Sequence, residues 1–114
     1  MEKKDKNRIR TPWGMSQYAI ELAPGINDYG TAGHGGIWLS AKRRKDLNYD
    51  NNFLGTSEWW EEDIDWAVPY AFFAEDIQKH GTAYKFESNL KAAIETVKRH
   101  HPNAMPIIER KWEK

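Results

Sequence analysis

With 114 residues and 13.3 kDa, the chain has room for one hydrophobic core and none for a second domain. Lys and Arg number 17, as do Asp and Glu, and this zero formal charge excludes a general polyanion binder that works through overall basicity. The lack of cysteine excludes disulfide scaffolds, thiolate zinc sites and cysteine nucleophiles, and no apolar run approaches the roughly 20 residues that cross a bilayer, so a cytoplasmic protein without a membrane partner is expected.

Met1 to Arg10 is charged and has a single apolar residue beyond the initiator, Ile9, so residues 1–10 are expected to form a flexible tail and residues 11–114 a single domain. Gln17–Leu22, Ile26–Thr31 and Gly36–Ser40 predict three short antiparallel strands, the first two joined by the turn Ala23-Pro24-Gly25. Gly30 to Gly36 holds four glycines in seven residues, which opens φ > 0 regions to the backbone. Such a loop is either a tight connection or a place where the backbone comes close to a ligand or partner.

Ser40 predicts the N-cap of a short helix over Ala41–Leu47, followed by an Asn-rich loop from Asn48 to Thr56. Asp63 to Lys79 is apolar on more than one side and predicts a buried helix, bent or restarted at Pro69 and stopped at His80-Gly81, with Asp63 as its cap. Tyr84 and Phe86 suggest a short extended piece. From Ser88, read as an N-cap, Leu90, Ala93, Ile94 and Val97 follow the helical i, i+3, i+4, i+7 rule up to Pro102. Pro106-Ile107-Ile108 then leads into a charged tail anchored by Trp112.

These elements predict an α+β domain, with a short antiparallel N-terminal sheet packed against two main helices; a mostly α chain is the alternative. Six Trp, five Tyr and four Phe make 13% of the chain while hydrophobic residues reach only 39%, so the core must rest on rings.

Charge is segregated along the chain. Residues 1–45 carry nine basic and four acidic side chains, residues 46–76 nine acidic and no basic ones, and residues 77–114 eight basic and four acidic ones. One reading is that the acidic middle pairs with the basic ends on folding; the other is a functional acidic face. Five acidic residues in eight positions, from Glu58 to Asp65, interleaved with Trp59 and Trp60, exceed what a helix N-terminus needs and suggest a cation or a basic partner. His34 stands in the glycine loop, where it acts as a general base, as a metal ligand, or as a residue that fixes the loop. No nucleotide, zinc or calcium fingerprint is present, so no cofactor or metal is assigned. His100-His101 is read as compensation of a helix dipole. The four cations Lys42 to Lys45 have no aromatic residue among them, which argues against nucleic acid as a partner.

Three blocks, Thr11-Pro12-Trp13-Gly14, Ala23-Pro24-Gly25-Ile26 with Thr31 to Ser40, and Trp60-Glu61-Glu62-Asp63-Ile64-Asp65-Trp66-Ala67, resemble a domain of unknown function found in small proteins of bacteriophages, prophages and plasmids. The resemblance covers residues 11 to about 74 and implies a genomic setting, not a reaction. Residues of these blocks, Trp13, His34, Trp60, Glu61, Glu62 and Asp65, are the expected binding residues for a host or phage protein, with counter-defence or host modulation as the role. The rival expectation is a small hydrolase, metal-dependent or not, in which His34 works with Glu61, Glu62 or Asp63.

Overall fold

The computed structural model describes residues 9–51 and 56–113. The first eight residues of the expected tail and positions 52–55 of the expected Asn-rich loop lie outside the described residues. Ile9 and Arg10, placed with the tail in the sequence reading, are hydrogen-bonded. Arg10–Thr11 (β1) pairs with Gly14–Met15 (β2), and Ser16 ties the hairpin shut: its amide donates to the Ile9 carbonyl at 2.8 Å and its hydroxyl accepts from the Ile9 amide at 2.9 Å.

The main sheet is antiparallel, with Tyr18–Ala23 (β3), Ile26–Gly30 (β4), Gly35–Leu39 (β5) and Trp59–Glu61 (β6) in the order β3-β4-β5-β6. Ala41–Leu47 (α1) lies between β5 and β6; Ala67–Phe72 (α2), Ala74–His80 (α3), Phe86–His100 (α4) and Met105–Glu113 (α5) follow. The chain is thus α+β, but a short three-stranded sheet on two main helices is corrected: the sheet has four strands and five helices are described, and the mostly α alternative falls with it. The fourth strand was hidden because Trp59-Trp60-Glu61 lies inside the acidic block, whose charges read as a helix start.

The register fixes which side chains meet. Ile26 pairs with Leu39, Asp28 with Ile37 and Ile37 with Trp60, so by the two-residue period of a strand these point to one face. Ile26, Ile37, Leu39 and Trp60 join Leu47, all of Ala67–Phe72 except Pro69, Phe73, Ile77, Ala93, Val97 and Ile108 in one core. Asn27, Tyr29, Trp38, Trp59 and Glu61 alternate with them and belong to the opposite face, and none of these is part of that core. A register shift between Glu21 and Ala23 lets the consecutive residues Leu22 and Ala23 both be buried.

The helices form for local reasons. The Ser40 hydroxyl accepts from the Arg43 amide and caps α1 as expected, and Asn48 ends it in the left-handed region. The expected single helix over Asp63–Lys79 breaks at Phe73 instead of Pro69, which sits at the third position of α2, where no amide partner is required. Asp63 lies in a turn before α2 and does not cap it; Trp66 precedes the helix without a side-chain cap. Gly81, with φ 81°, stops α3. Helix α4 starts two residues before Ser88, after Lys85 in the left-handed region, so Phe86 is helical and the expected extended piece and Ser88 cap are corrected. Beyond Pro102 the chain makes a 3-10 turn over Pro102–Ala104 and then α5, where a charged tail was expected. Pro106 falls in the first turn of α5, Ile108 is buried, and the Trp112 indole donates to the Ala71 carbonyl at 2.9 Å. Among the described residues no helix is long and apolar enough to cross a membrane.

Val97 is fully buried and its neighbour Lys98 is exposed. Val97→Asp should therefore cost more than about 3 kcal/mol, because it buries an unpaired charge, while Lys98→Asp should stay within about 0.5 kcal/mol. Chemical denaturation of the two variants checks this; equal losses would mean that the buried face of α4 is misassigned.

Candidate functional site

The loop Thr31–His34 between β4 and β5 closes on itself. The Thr31 amide and hydroxyl both donate to the His34 carbonyl, at 2.6 and 2.7 Å, and the His34 amide donates back to the Thr31 hydroxyl at 3.0 Å. None of Gly30, Gly33, Gly35 or Gly36 adopts a positive φ, so the loop does not use the left-handed backbone that its glycines make accessible. The requirement at Gly30 and Gly36 is room. A Cβ on Gly36 would stand 2.5 Å from the Trp13 ring and closer still to the Trp60 carbonyl oxygen, and a Cβ on Gly30 would enter the Tyr18 ring. The glycines let two aromatic rings lie directly on the strands, one on each face.

The face turned away from the core carries the Trp13 ring, brought onto Gly36 by the β1–β2 hairpin. Trp13 meets Trp59 edge-on at 5.6 Å and 87°, and Tyr29 meets Trp59 at 5.8 Å. The Trp38 indole donates to Glu58 Oε2 at 2.9 Å, and Asn27 donates to the Tyr29 hydroxyl at 3.0 Å. Trp13, Trp38 and Trp59 are half-buried, so each shows part of a ring to solvent. His34 Nδ1 stands 3.8 Å from Glu61 Oε2, with 58% of its side chain exposed. Burial holds the Glu61 carboxyl above its usual range and the charges of Asp63 and Asp65 add to this, against a backbone hydrogen bond at Asp63 and the nearby His34.

The acidic block does not pair with the basic ends as a whole. Arg43 bonds Asp76 at 2.7 Å and Lys42 meets Asp46 at 3.8 Å, but among the described residues no Lys or Arg reaches Glu58, Glu61, Glu62, Asp63 or Asp65. Asp65 is taken by a histidine instead: His101 Nε2 lies 2.8 Å from Asp65 Oδ1 and its Nδ1 lies 3.1 Å from the Tyr49 hydroxyl. This chain ties the segment after α1, the turn before α2 and the end of α4 together, and it gives His101 a bonded role in place of the dipole role expected of it.

Of the expected site residues, the structure thus brings Trp13, His34 and Glu61 to one face. Trp60 is fully buried, its indole donating to the Ser57 carbonyl at 2.9 Å, so it is a core residue and not part of a surface. Glu62 continues β6 with its carboxylate on the opposite side of the sheet, 3.1 Å from where a Cβ of Gly35 would stand. Asp63 is exposed beside Arg99 and His100 at the end of α4. Among the described residues no group of three or more His, Asp or Glu side chains is placed to hold a metal ion.

Sequence reasoning missed Asp28. It occupies a core-facing position of an inner strand, between Ile26 and Gly30, where the alternation calls for an apolar residue. Burial, with the charge of Glu62 adding to it, pushes its carboxyl up from 3.8 to about 6. The signal was legible as the one charged residue among the inward positions of Ile26-Asn27-Asp28-Tyr29-Gly30.

A family model for a domain of unknown function, DUF7007, matches residues 6–113, and the chain belongs to that family. No curated protein and no solved structure matches it.

Because the Asp28 carboxyl is raised in the folded state, its contribution to stability is fully present below pH 3.8 and is lost as pH rises through about 6. Asp28→Asn should therefore leave stability near pH 4 unchanged and raise it at pH 7 by about 1–3 kcal/mol. Urea titrations across that range check this, and a variant less stable at pH 7 than the parent chain would contradict it.

Proposed function

We propose that this member of the DUF7007 family is a non-enzymatic binding module that seizes a basic host protein through the outer face of its sheet. The observation that carries this reading is the set of half-exposed rings Trp13, Trp38 and Trp59 beside Glu58 and Glu61, carboxylates that no described Lys or Arg neutralises. Trp is the residue most often found at interface hot spots, and unneutralised carboxylates at the rim steer a basic partner and set its orientation. The blocks that resemble small phage, prophage and plasmid proteins support a mobile-element setting, in which an acidic surface directed at a basic, nucleic-acid-handling host protein in the cytoplasm serves counter-defence or host modulation. A hydrolase built on His34 has no comparable support. Its imidazole is mostly in solvent, 3.8 Å from Glu61, while Glu62 and Asp63 lie elsewhere, and a general base needs a positioned, hydrogen-bonded contact.

The test is affinity capture from a bacterial host lysate with Glu61→Lys and Trp38→Ala variants that retain the parent's circular dichroism. Recovery of the host protein should fall at least about tenfold with either change and should fall steeply with added salt. Equal recovery by the parent and both variants would end the reading.

A further inference from the structure

The packing of one chain leaves open a groove of about 460 Å³ between α3 and α4. Its floor is apolar: Phe86, Leu90 and Ile94 follow one another at helical spacing along α4, and Trp112 of α5 adds a further wall. Glu75 and Glu87, from the first turns of α3 and α4, line it as well. Past Phe86 the recess runs on to Gly81 and Lys85. The Trp112 ring is held in place by its indole bond to the Ala71 carbonyl, yet it is 40% exposed, and the half-buried Ile94 lies outside the core cluster. Apolar side chains gathered in one recess with polar groups at the rim mark a surface that a partner covers.

A counterpart to this recess stands at its Lys85 end. Tyr84, in the loop from α3 to α4, is 74% exposed, more than any other large hydrophobic side chain among the described residues. The loop that presents it is nevertheless held: the Asn89 side chain donates to the Tyr84 carbonyl at 2.8 Å, the Thr82 hydroxyl donates to the Glu21 carbonyl, and Lys85 takes left-handed backbone, φ 49°, before α4 begins. Lys85 Nζ lies 5.4 Å over the Tyr84 ring, so that an aromatic face and a cation are offered together. Neither Lys85 nor Glu87 forms an ion pair with a described residue.

Knob and recess are complementary in shape class and in charge: an aromatic ring with an ammonium group beside it, against an apolar floor with carboxylates at its rim. Within one chain they do not meet, as the exposure of Tyr84 shows. Because both lie on one face, a two-fold axis at the Lys85 end of the groove brings the Tyr84–Lys85 pair of each copy to the recess of the other, the arrangement of an isologous contact. We propose that this face is a dimer interface between two copies of the chain, in which each inserts Tyr84 into the α3–α4 groove of the other and sets Lys85 against the carboxylates of Glu75 and Glu87. The occupant is a second copy because the same chain supplies both the anchor and the charge that the groove calls for. The inference is independent of the outer-face reading, since α3 and α4 cover the opposite side of the sheet.

Sedimentation equilibrium of the full chain from about 5 to 500 µM is the test. The average mass should rise from that of one chain towards that of two, and on dilution the NMR signals of the Ile94 amide and the Trp112 indole should shift. Tyr84→Ser, at an exposed position, should keep the parent's circular dichroism and raise the midpoint of association at least about tenfold in concentration. Lys85→Glu and Glu87→Lys should each weaken association, and the chain that carries both should associate more tightly than either single variant, since the exchange restores opposite charges across the axis. A chain that stays monomeric at the highest concentration would overturn the proposal, and if its groove then captured a different protein the face would belong to that partner. Undiminished association in a folded Tyr84→Ser chain, dilution shifts that spare Ile94 and Trp112, or a double charge exchange no better than the single changes would overturn it as well.

Discussion

The pairing of β6 with β5 is the constraint on which the other features depend. Because Ile37 faces Trp60, the two-residue period of the strand sends Trp60 into the core and Trp59 and Glu61 to the opposite face, and carries Glu62 back to the helix side. One short strand thereby divides the most acidic stretch of the chain between two surfaces. A Trp fully removed from water contributes some of the largest burial available to a single side chain, which explains how a strand of three residues holds its place at the edge of the sheet.

The glycines of β4 and β5 make the division possible. At Gly36 the missing side chain admits the Trp13 ring on the outer face; at Gly30 it admits the Tyr18 ring on the helix side. The hairpin that carries Trp13 is held by Ser16 and Thr11, both buried, with the Thr11 hydroxyl donating to the Gly14 carbonyl at 2.7 Å and accepting from the Trp13 amide at 3.1 Å. Aromatic rings laid against bare backbone serve here in place of a second covering layer of helices. They leave the outer face with partly exposed indoles and unneutralised carboxylates, and the helix side with the half-buried Asp28 carboxylate.

Much of this was legible where one local signal dominated. Ser40 and the residues after it define α1 to the residue, and β3, β4 and β5 lie within a residue of where alternation places them, while the short β1–β2 hairpin before them was not foreseen. Where two signals overlapped, the stronger masked the other. The charges around Trp59-Trp60-Glu61 concealed a strand alternation, and Pro106 with the charges after it concealed α5, although a proline in a first turn is compatible with a helix. The glycine loop was identified by composition, but its reason, close approach by the chain's own rings, required the positions of Trp13 and Tyr18. Asp65 and His101 lie 36 residues apart, and no spacing rule links them to Tyr49.

The register of β6 is the claim that decides the rest, and nuclear Overhauser effects between α-protons measure it most directly. The Leu39 amide donates to the Glu58 carbonyl and the Glu62 amide to the Gly35 carbonyl, both at 2.9 Å, which makes Trp38–Trp59 and Gly36–Glu61 the close, non-hydrogen-bonded pairs. Strong α-proton contacts are expected between Trp38 and Trp59 and between Gly36 and Glu61. Contacts of Trp38 with Trp60 instead would mean a one-residue slip, which would bring Trp60 and Glu62 to the outer face, turn Trp59 and Glu61 inward and contradict the outer face described above.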